Sequence, residues 1–131
     1  MRLLLDTHVA LWAIADSPRL SARARDLIDD QGNEIVISAA SIWEIAIKHA
    51  LARGSPSDMP ISGQDALGYF RDAGFEFLDI TSAHAAAVEA LPPLHADPFD
   101  RILVAQALAT PLRLLRHDPR VAAYSDVVIS V

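Results

Sequence analysis

Two kinds of segment alternate along the chain when hydrophobic and polar positions are followed in order. Short apolar runs bounded by polar or turn residues indicate buried strands, and apolar residues spaced three or four apart indicate helices. The predicted strands are Leu3–Leu5, Glu34–Ile37, Glu76–Leu78, Leu112–Leu115 and Val127–Ile129. The predicted helices begin at Thr7, Ser21, Ser38, Gln64, Thr81 and Asp97. The one long loop expected lies between Gly54 and Gly63.

This alternation of strands and helices predicts an α/β protein, built as an α/β/α sandwich around a mainly parallel, roughly five-stranded sheet. The chain has 131 residues, of which 52% are hydrophobic and 21% charged. Such a composition forms a buried core and excludes a disordered chain. Two independent cores rarely fit in so short a chain, so we expect a single domain over residues 1–131.

The sequence contains no cysteine, which excludes disulfides, thiolate catalysis and cysteine metal sites. Its first residues reach Asp6 before the apolar stretch of a signal peptide could form. No apolar run approaches the roughly 20 residues that a membrane span requires. We therefore expect a cytoplasmic protein without a membrane partner.

Acidic residues follow several of the predicted strands. They are Asp6, Glu44, Asp97, Asp100 and Asp118. In open parallel sheets, ligands bind beyond the carboxyl ends of the strands, where these side chains are expected to converge. Converging carboxylates repel one another unless a cation neutralises them, and oxygen ligands suit Mg²⁺ or Mn²⁺. A metal held there can activate water and stabilise a leaving oxygen, which is the chemistry of phosphodiester hydrolysis.

Each of these acids also has a purely structural interpretation. Asp6 and the Asp118-Pro119 pair suit turns. Glu44 lies three residues after Ser41, as in a capping box, and four before Lys48, as in a surface ion pair. Asp97 suits a helix N-cap, with Asp100 in the first turn.

Several other site types lack their defining parts. The histidines do not follow zinc-binding spacings, and the chain contains neither a glycine-rich phosphate loop nor a G-x-S-x-G elbow. A phosphoaspartate hydrolase would need an acid two residues after Asp6, where His8 stands. His8 and His117 lie beside acids and are expected as neighbours of the site. Trp12, Trp43 and Phe99 are expected in the core rather than as stacking platforms for bases.

Four segments together resemble PIN-domain proteins of the VapC toxin type. They are Leu3 to Trp12 (LLLDTHVALW), Ser41 to Lys48 (SIWEIAIK), His95 to Ala107 (HADPFDRILVAQA) and Leu114 to Asp118 (LLRHD). The segments occur in the family's order and span nearly the whole chain. The first and third segments are the most specific.

The resemblance implies a Mg²⁺- or Mn²⁺-dependent ribonuclease that acts as a toxin and is held inactive by a small cognate antitoxin. Asp6, Glu44, Asp100 and Asp118 match the family's acidic constellation, and Asp97 ranks second to Asp100 as a metal ligand. By the same resemblance, Thr7 would orient Asp6, and Lys48 and Arg101 would contact phosphate. A homodimer is also expected, since the Ala- and Leu-rich helices of a short chain leave apolar patches.

Arg116 departs from the family's pattern, which usually has a small hydroxyl residue two positions before the last acid. A long cation so near the metals could bind phosphate, or could crowd the site and weaken activity. Arg116 therefore keeps open the alternative of a catalytically weak PIN-like module that acts by binding an antitoxin or RNA. A flavodoxin-like or receiver-like domain that binds a small ligand is a third possibility, but it leaves Glu44 and the Asp97/Asp100 pair without a task.

Taken as an average over the chain, the formal charge of −6 argues against a nucleic-acid partner, because phosphate binding usually needs a basic surface. Five of the seventeen acids belong to the expected metal site, and without them the charge is −1. The negative charge is thus better explained as a concentrated pocket whose sign bound cations would reverse.

Overall fold

The computed structural model describes residues 1–51, 59–93, 97–117 and 127–131. Within them lie the strands β1 (Arg2–Leu5), β2 (Glu34–Ser38), β3 (Glu76–Leu78), β4 (Arg113–Arg116) and β5 (Val128–Ser130). The α-helices are α1 (Thr7–Ile14), α2 (Ala22–Asp29), α3 (Ala39–Leu51), α4 (Gly63–Asp72), α5 (Ser82–Ala87) and α6 (Pro98–Ala109). The strands form one sheet in the order β3-β2-β1-β4-β5, and every neighbouring pair is parallel. The predicted fold class is confirmed.

The central strand β1 is buried on both faces, as its continuous apolar run predicts. Leu3 and Leu5 point to one face, where they belong to a core cluster that includes residues of α1, α2, α3 and α4. Leu4 points to the other face and packs in a second cluster that contains Leu103 of α6 and Leu114 of β4. The period-two alternation of side chains along a strand thus divides one apolar run between two cores.

Side-chain caps fix the start of most helices close to where the sequence predicts them. Hydroxyl and carboxylate oxygens of five residues accept hydrogen bonds from backbone N–H groups in the first turns of α1, α2, α4, α5 and α6. These residues are Asp6, Ser21, Ser62, Thr81 and Asp97. The helix predicted from Thr81 to Leu91 is shorter: α5 ends at Ala87 and continues as a 3-10 turn over Val88–Ala90.

The direction of strand succession reverses at β1. The chain passes from β1 to β2 and β3 on one side of the sheet, and later fills β4 and β5 on the other side. The carboxyl ends of β1 and β4 therefore flank a topological switch point, the position where open α/β sheets bind ligands. Leu5 pairs with Leu115, and the N–H of Asp6 donates to the carbonyl of Leu115 over 3.0 Å. This register brings Asp6 next to Arg116.

Among the described residues, no helix combines the length and apolar character needed to cross a membrane. The first half of the predicted loop from Gly54 to Gly63, as well as His95 and Asp118, lies outside the part of the chain that the structure describes.

Candidate active site

Asp6 joins the end of β1 to the start of α1. Its Oδ1 accepts a 2.7 Å hydrogen bond from the N–H of Val9 and so caps the helix. The residue is only 1% exposed. Burial raises the pKa of Asp6, and the guanidinium of Arg116 and backbone N–H groups oppose this rise without cancelling it. A carboxylate that is costly to ionise in this position marks a place where positive charge would be strongly stabilised.

Asp100 and Arg116 form a bidentate ion pair. Asp100 lies in the first turn of α6, and Arg116 is the last residue of β4. Nη1 of Arg116 lies 2.5 Å from Oδ1 of Asp100, and Nη2 lies 2.8 Å from Oδ2. The same Nη1 donates to Oδ2 of Asp6 over 2.9 Å. We call Asp6, Asp100 and Arg116 the arginine bridge, because one guanidinium joins two carboxylates that are 94 positions apart in the numbering of the chain.

Glu44 belongs to a second group on the adjoining side of Asp6. Its Oε1 accepts a 2.6 Å hydrogen bond from the hydroxyl of Thr7, and its Oε2 accepts one of 2.6 Å from Nζ of Lys48. The hydroxyl of Ser41 lies 3.0 Å from that of Thr7. We call Thr7, Ser41, Glu44 and Lys48 the glutamate cluster. Only Lys48 among them reaches solvent to a large extent, with 43% of its side chain exposed.

The structure supports some of the purely structural roles that the sequence allowed for these acids and rules out others. A capping box at Ser41 does not apply, because α3 begins at Ala39 and Ser41 lies inside the helix. The Glu44–Lys48 ion pair forms, but the glutamate is 5% exposed and so the pair is not an ordinary surface pair. Asp97 does cap α6: its Oδ1 accepts from the N–H groups of Phe99 and Asp100 over 2.9 and 3.4 Å.

Thr7 was expected to orient Asp6, and Arg101 was expected to contact a substrate phosphate, but both side chains bind other groups. The Thr7 hydroxyl donates to Glu44 in the glutamate cluster and not to Asp6. The guanidinium of Arg101 donates to carbonyl oxygens at the start of the 3-10 turn and just beyond its end. These are the carbonyls of Val88, Leu91 and Pro92, at 3.2, 3.4 and 3.0 Å. Arg101 thus fixes the segment that precedes α6.

The predicted acids are brought together in part. Asp6, Glu44 and Asp100 lie at the carboxyl edge of the sheet, and Asp118 lies beyond the described residues. Within the described ranges, no group of three or more His, Asp or Glu side chains is already arranged to hold a metal. The reason is visible in the contacts: Asp6 and Asp100 share Arg116, while Glu44 is held by Thr7 and Lys48.

The aromatic residues near the site correct one expectation. Trp43 was expected in the core, but it is 58% exposed and its ring meets that of Phe99 edge to face, with centroids 5.3 Å apart. It lies on the outer side of α3, whereas its neighbours Glu44 and Ile45 are buried. Trp12 is half-buried and packs between the rings of His8 and His117 at 5.9 and 5.1 Å.

Sequence reasoning missed the role of Ser41 and the buried pair formed by Ser38 and Gln106. The hydroxyl of Ser38, at the end of β2, donates to Oε1 of Gln106 over 2.6 Å. Gln106 is fully buried in α6 and donates in turn to the carbonyl of Asp79 over 3.3 Å. A polar residue amid the apolar run of α6 is the signal that could have indicated this link between sheet and helix.

The chain matches the family model of the PIN domain over residues 3–127. It is also 32% identical over 123 residues to Ribonuclease VapC22 of Mycobacterium tuberculosis, an alignment that covers 92% of this chain and 90% of that protein. The chain therefore belongs to the PIN-domain family, in the branch that contains the VapC proteins. The resemblance carried by the four segments is confirmed.

Solved structures show the same fold. The VapBC2 structure from Rickettsia felis, bound to a DNA fragment from its promoter, matches with a TM-score of 0.70 and 17% identity, over 100% of this chain and 98% of that chain. The DNA-bound VapBC structure from Salmonella typhimurium matches with a TM-score of 0.65 and 14% identity, over 100% and 97% of the two chains. At these identities the likeness concerns the fold.

Proposed function

We propose that this protein is a metal-dependent ribonuclease that hydrolyses phosphodiester bonds in RNA, and that it is the toxin of a toxin–antitoxin pair. The observation that carries the proposal is the meeting of two buried carboxylates, Asp6 and Asp100, around a cationic group at the switch point of the sheet. The relationship to a protein named Ribonuclease VapC22 supports RNA as the substrate class.

The chemistry of the donors fits Mg²⁺ or Mn²⁺. Asp6 and Asp100 offer only oxygen atoms, which are the ligands that these hard cations prefer. Both side chains are nearly buried, and the guanidinium of Arg116 already acts as a stand-in cation between them. Asp97 contributes a carboxylate whose Oδ1 is used by the cap of α6. Asp118, which the family pattern adds to this set, lies outside the described residues.

The carboxylates of the arginine bridge and the carboxylate of the glutamate cluster take different roles in the proposed reaction. Asp6 and Asp100 would hold the metal, which when bound lowers the pKa of a water and stabilises the leaving oxygen. Glu44 is held by Thr7 and Lys48, which fix the orientation of its carboxylate. The exposed ammonium of Lys48 supplies the positive charge that attracts a substrate phosphate.

A second candidate function is a catalytically weak module that binds an antitoxin or RNA. Arg116 is the observation that favours it, because its guanidinium takes up oxygens of both Asp6 and Asp100. The two functions differ in one measurable property, since a binding module needs no divalent metal for its action.

The proposed partners are RNA, a small antitoxin and a second copy of this chain, and the proposed location is the cytoplasm. Solved relatives named as VapBC or toxin–antitoxin complexes support the antitoxin. A groove of about 540 Å³ between α1 and α4, lined by Leu11, Trp12, Ile61 and Tyr69 among others, offers an apolar surface for it. Exposed apolar side chains such as Phe77 and Leu108 support self-association.

The test of the catalytic proposal is cleavage of RNA by the purified protein with EDTA, Mg²⁺ or Mn²⁺. We expect cleavage with either metal, none with EDTA, and loss of cleavage in Asp6→Asn and Asp100→Asn. Asp65→Asn is a matched control, because Asp65 is also a first-turn carboxylate but is exposed on α4. Undiminished cleavage by Asp6→Asn, or full cleavage in EDTA, would overturn the proposal. Relief of toxicity by co-expression of the neighbouring small gene would test the antitoxin.

A further inference from the structure

Within the described part of the chain, the guanidinium of Arg116 is held only by carboxylates. Its side chain is 11% exposed, and its two terminal nitrogens make three hydrogen bonds, all of them to Asp6 and Asp100. Its Nε is buried and has no hydrogen-bond partner among the described residues. Among the described residues, the guanidinium therefore has no second anchor from a carbonyl or another side chain, in contrast to Arg101, which donates to backbone carbonyls.

The position of Arg116 is also the position that a metal would need. Charge-assisted hydrogen bonds to both carboxylates use Oδ2 of Asp6 and both oxygens of Asp100. The remaining oxygen of Asp6, Oδ1, is used by the N–H of Val9. A divalent ion bound by Asp6 and Asp100 would compete with Arg116 for the same lone pairs.

The exchange of the two cations is physically reasonable in both directions. Without a metal, removal of the guanidinium would leave two buried carboxylates facing each other, which is costly because like charges in a poorly solvated site repel. With a metal, the guanidinium would become the unfavourable neighbour of a divalent cation. Its partly exposed position lets it turn outward, where water would satisfy the buried and unpartnered Nε.

We propose that Arg116 is a displaceable internal cation, which occupies the Asp6–Asp100 position in the metal-free protein and is exchanged for the divalent ion when the site is loaded. The inference rests on the proposed function, since it assigns the metal to these two carboxylates. Arg116 would thus protect the fold of the empty site and at the same time lower its affinity for metal.

The test is a calorimetric titration of Mn²⁺ into the purified wild-type protein, Arg116→Ser and Arg113→Ser. Arg113 begins the same strand and is exposed, so its substitution removes an arginine from β4 without touching the site. We expect Arg116→Ser to bind Mn²⁺ more tightly by about tenfold or more, because no bidentate ion pair has to be broken. Arg113→Ser should bind like the wild type.

Thermal unfolding gives a second readout that does not depend on activity. In EDTA, Arg116→Ser should melt at a lower temperature than the wild type, and added Mn²⁺ should raise its melting temperature by more. If the serine variant does not fold in EDTA, Arg116→Gln, which keeps a neutral hydrogen-bond donor, takes its place in both measurements.

The outcomes separate this inference from the proposed function. Equal or weaker Mn²⁺ binding by the Arg116 variants, with clear binding by the wild type, would overturn the exchange and leave the metal-dependent ribonuclease standing. Absence of Mn²⁺ binding in the wild type and in the variants, even at millimolar metal, would overturn both. Tighter binding in the variants, with cleavage that does not require metal, would support the exchange and contradict the catalytic proposal.

Discussion

The hydroxyl of Thr7 donates a 2.6 Å hydrogen bond to Oε1 of Glu44, and this bond joins the first turn of α1 to the middle of α3. Both residues are buried. Thr7 directly follows Asp6, so the bond also holds the backbone next to Asp6 against Glu44. The arginine bridge and the glutamate cluster are therefore adjoining parts of one site.

Replacing Thr7 by valine keeps the shape of the side chain and removes its donor. The buried carboxylate of Glu44 then keeps only Lys48 as a side-chain partner among the described residues. We expect the free energy of unfolding to fall by about 1–3 kcal/mol, the usual cost of leaving a buried polar group short of a partner. Urea unfolding measures this loss, and RNA cleavage should fall with it because Glu44 loses its fixed orientation.

Thr7→Ser is the matched control for this substitution. Serine retains the hydroxyl that bonds Glu44, so both stability and cleavage should lie closer to the wild type than in Thr7→Val. If the valine and serine variants were equally stable, the hydroxyl of Thr7 would contribute no more to the free energy of unfolding than its methyl group does.

The buried carboxyl of Asp6 leads to a prediction about how the stability of the protein depends on pH. Burial raises its pKa above the ordinary 3.8, so the folded protein holds the proton more tightly than the unfolded chain does. The resulting contribution to stability is fully present below pH 3.8 and is lost as the pH rises through the folded-state pKa. Asp6→Asn has no such titration. In EDTA, the wild type should therefore lose stability relative to Asp6→Asn as the pH rises.

Melting temperatures of both proteins in EDTA, measured from acidic to mildly alkaline pH, check this expectation. If the melting temperature of Asp6→Asn rises relative to that of the wild type as the pH increases, the result agrees with the raised pKa of Asp6. If it falls relative to that of the wild type, Arg116 outweighs burial and Asp6 is stabilised as a carboxylate.

The main features of the fold follow from local patterns in the sequence. Leu3 to Leu5 form an uninterrupted apolar run, which is typical of a strand covered on both faces, and Asp97-Pro98 is a strong start signal for α6. Because parallel strands end at a common edge, the gathering of Asp6, Glu44 and Asp100 there could also be predicted.

The partners within the site could not be predicted in the same way. Whether Arg116 turns toward Asp6 and Asp100 or toward solvent depends on the register of β4 against β1, which no local pattern shows. Trp43 was misplaced for a related reason. The two residues after it are buried, and the apolar spacing of α3 does not show where the covered face of the helix ends.

A substitution of Arg101 tests whether this residue stabilises the fold or contacts the substrate. Its guanidinium donates to the carbonyls of Val88, Leu91 and Pro92. Arg101→Met keeps much of the aliphatic stem and removes these donors, so we expect a loss of about 1–3 kcal/mol in the free energy of unfolding. Urea unfolding measures the loss, and KM for RNA should change little at temperatures where the variant stays folded. A large rise in KM without loss of stability would instead indicate a phosphate contact.

The exposed ring of Trp43 can be compared with the buried ring of Phe70 in a final pair of substitutions. Trp43 is 58% exposed and its ring contacts that of Phe99 edge to face, while Phe70 is fully buried beside Phe75. Trp43→Ala should lower the free energy of unfolding by no more than about 1.5 kcal/mol, the upper range for an aromatic pair. Phe70→Ala should lower it by about 3–5 kcal/mol, because it leaves a cavity in the core.

Urea unfolding of the two variants measures both losses, and Trp43→Phe serves as the control that keeps an aromatic ring on α3. The difference between Trp43→Ala and Phe70→Ala should be large, since it reflects the difference between an exposed and a buried ring. A loss in Trp43→Ala as great as that in Phe70→Ala would show that Trp43 is covered in the folded protein.

Because the exposure of Trp43 differs between an isolated chain and a dimer that covers it, the measurement should be repeated over a range of protein concentrations. A stability of Trp43→Ala that falls behind the wild type only at high concentration would place the ring in a contact between two copies.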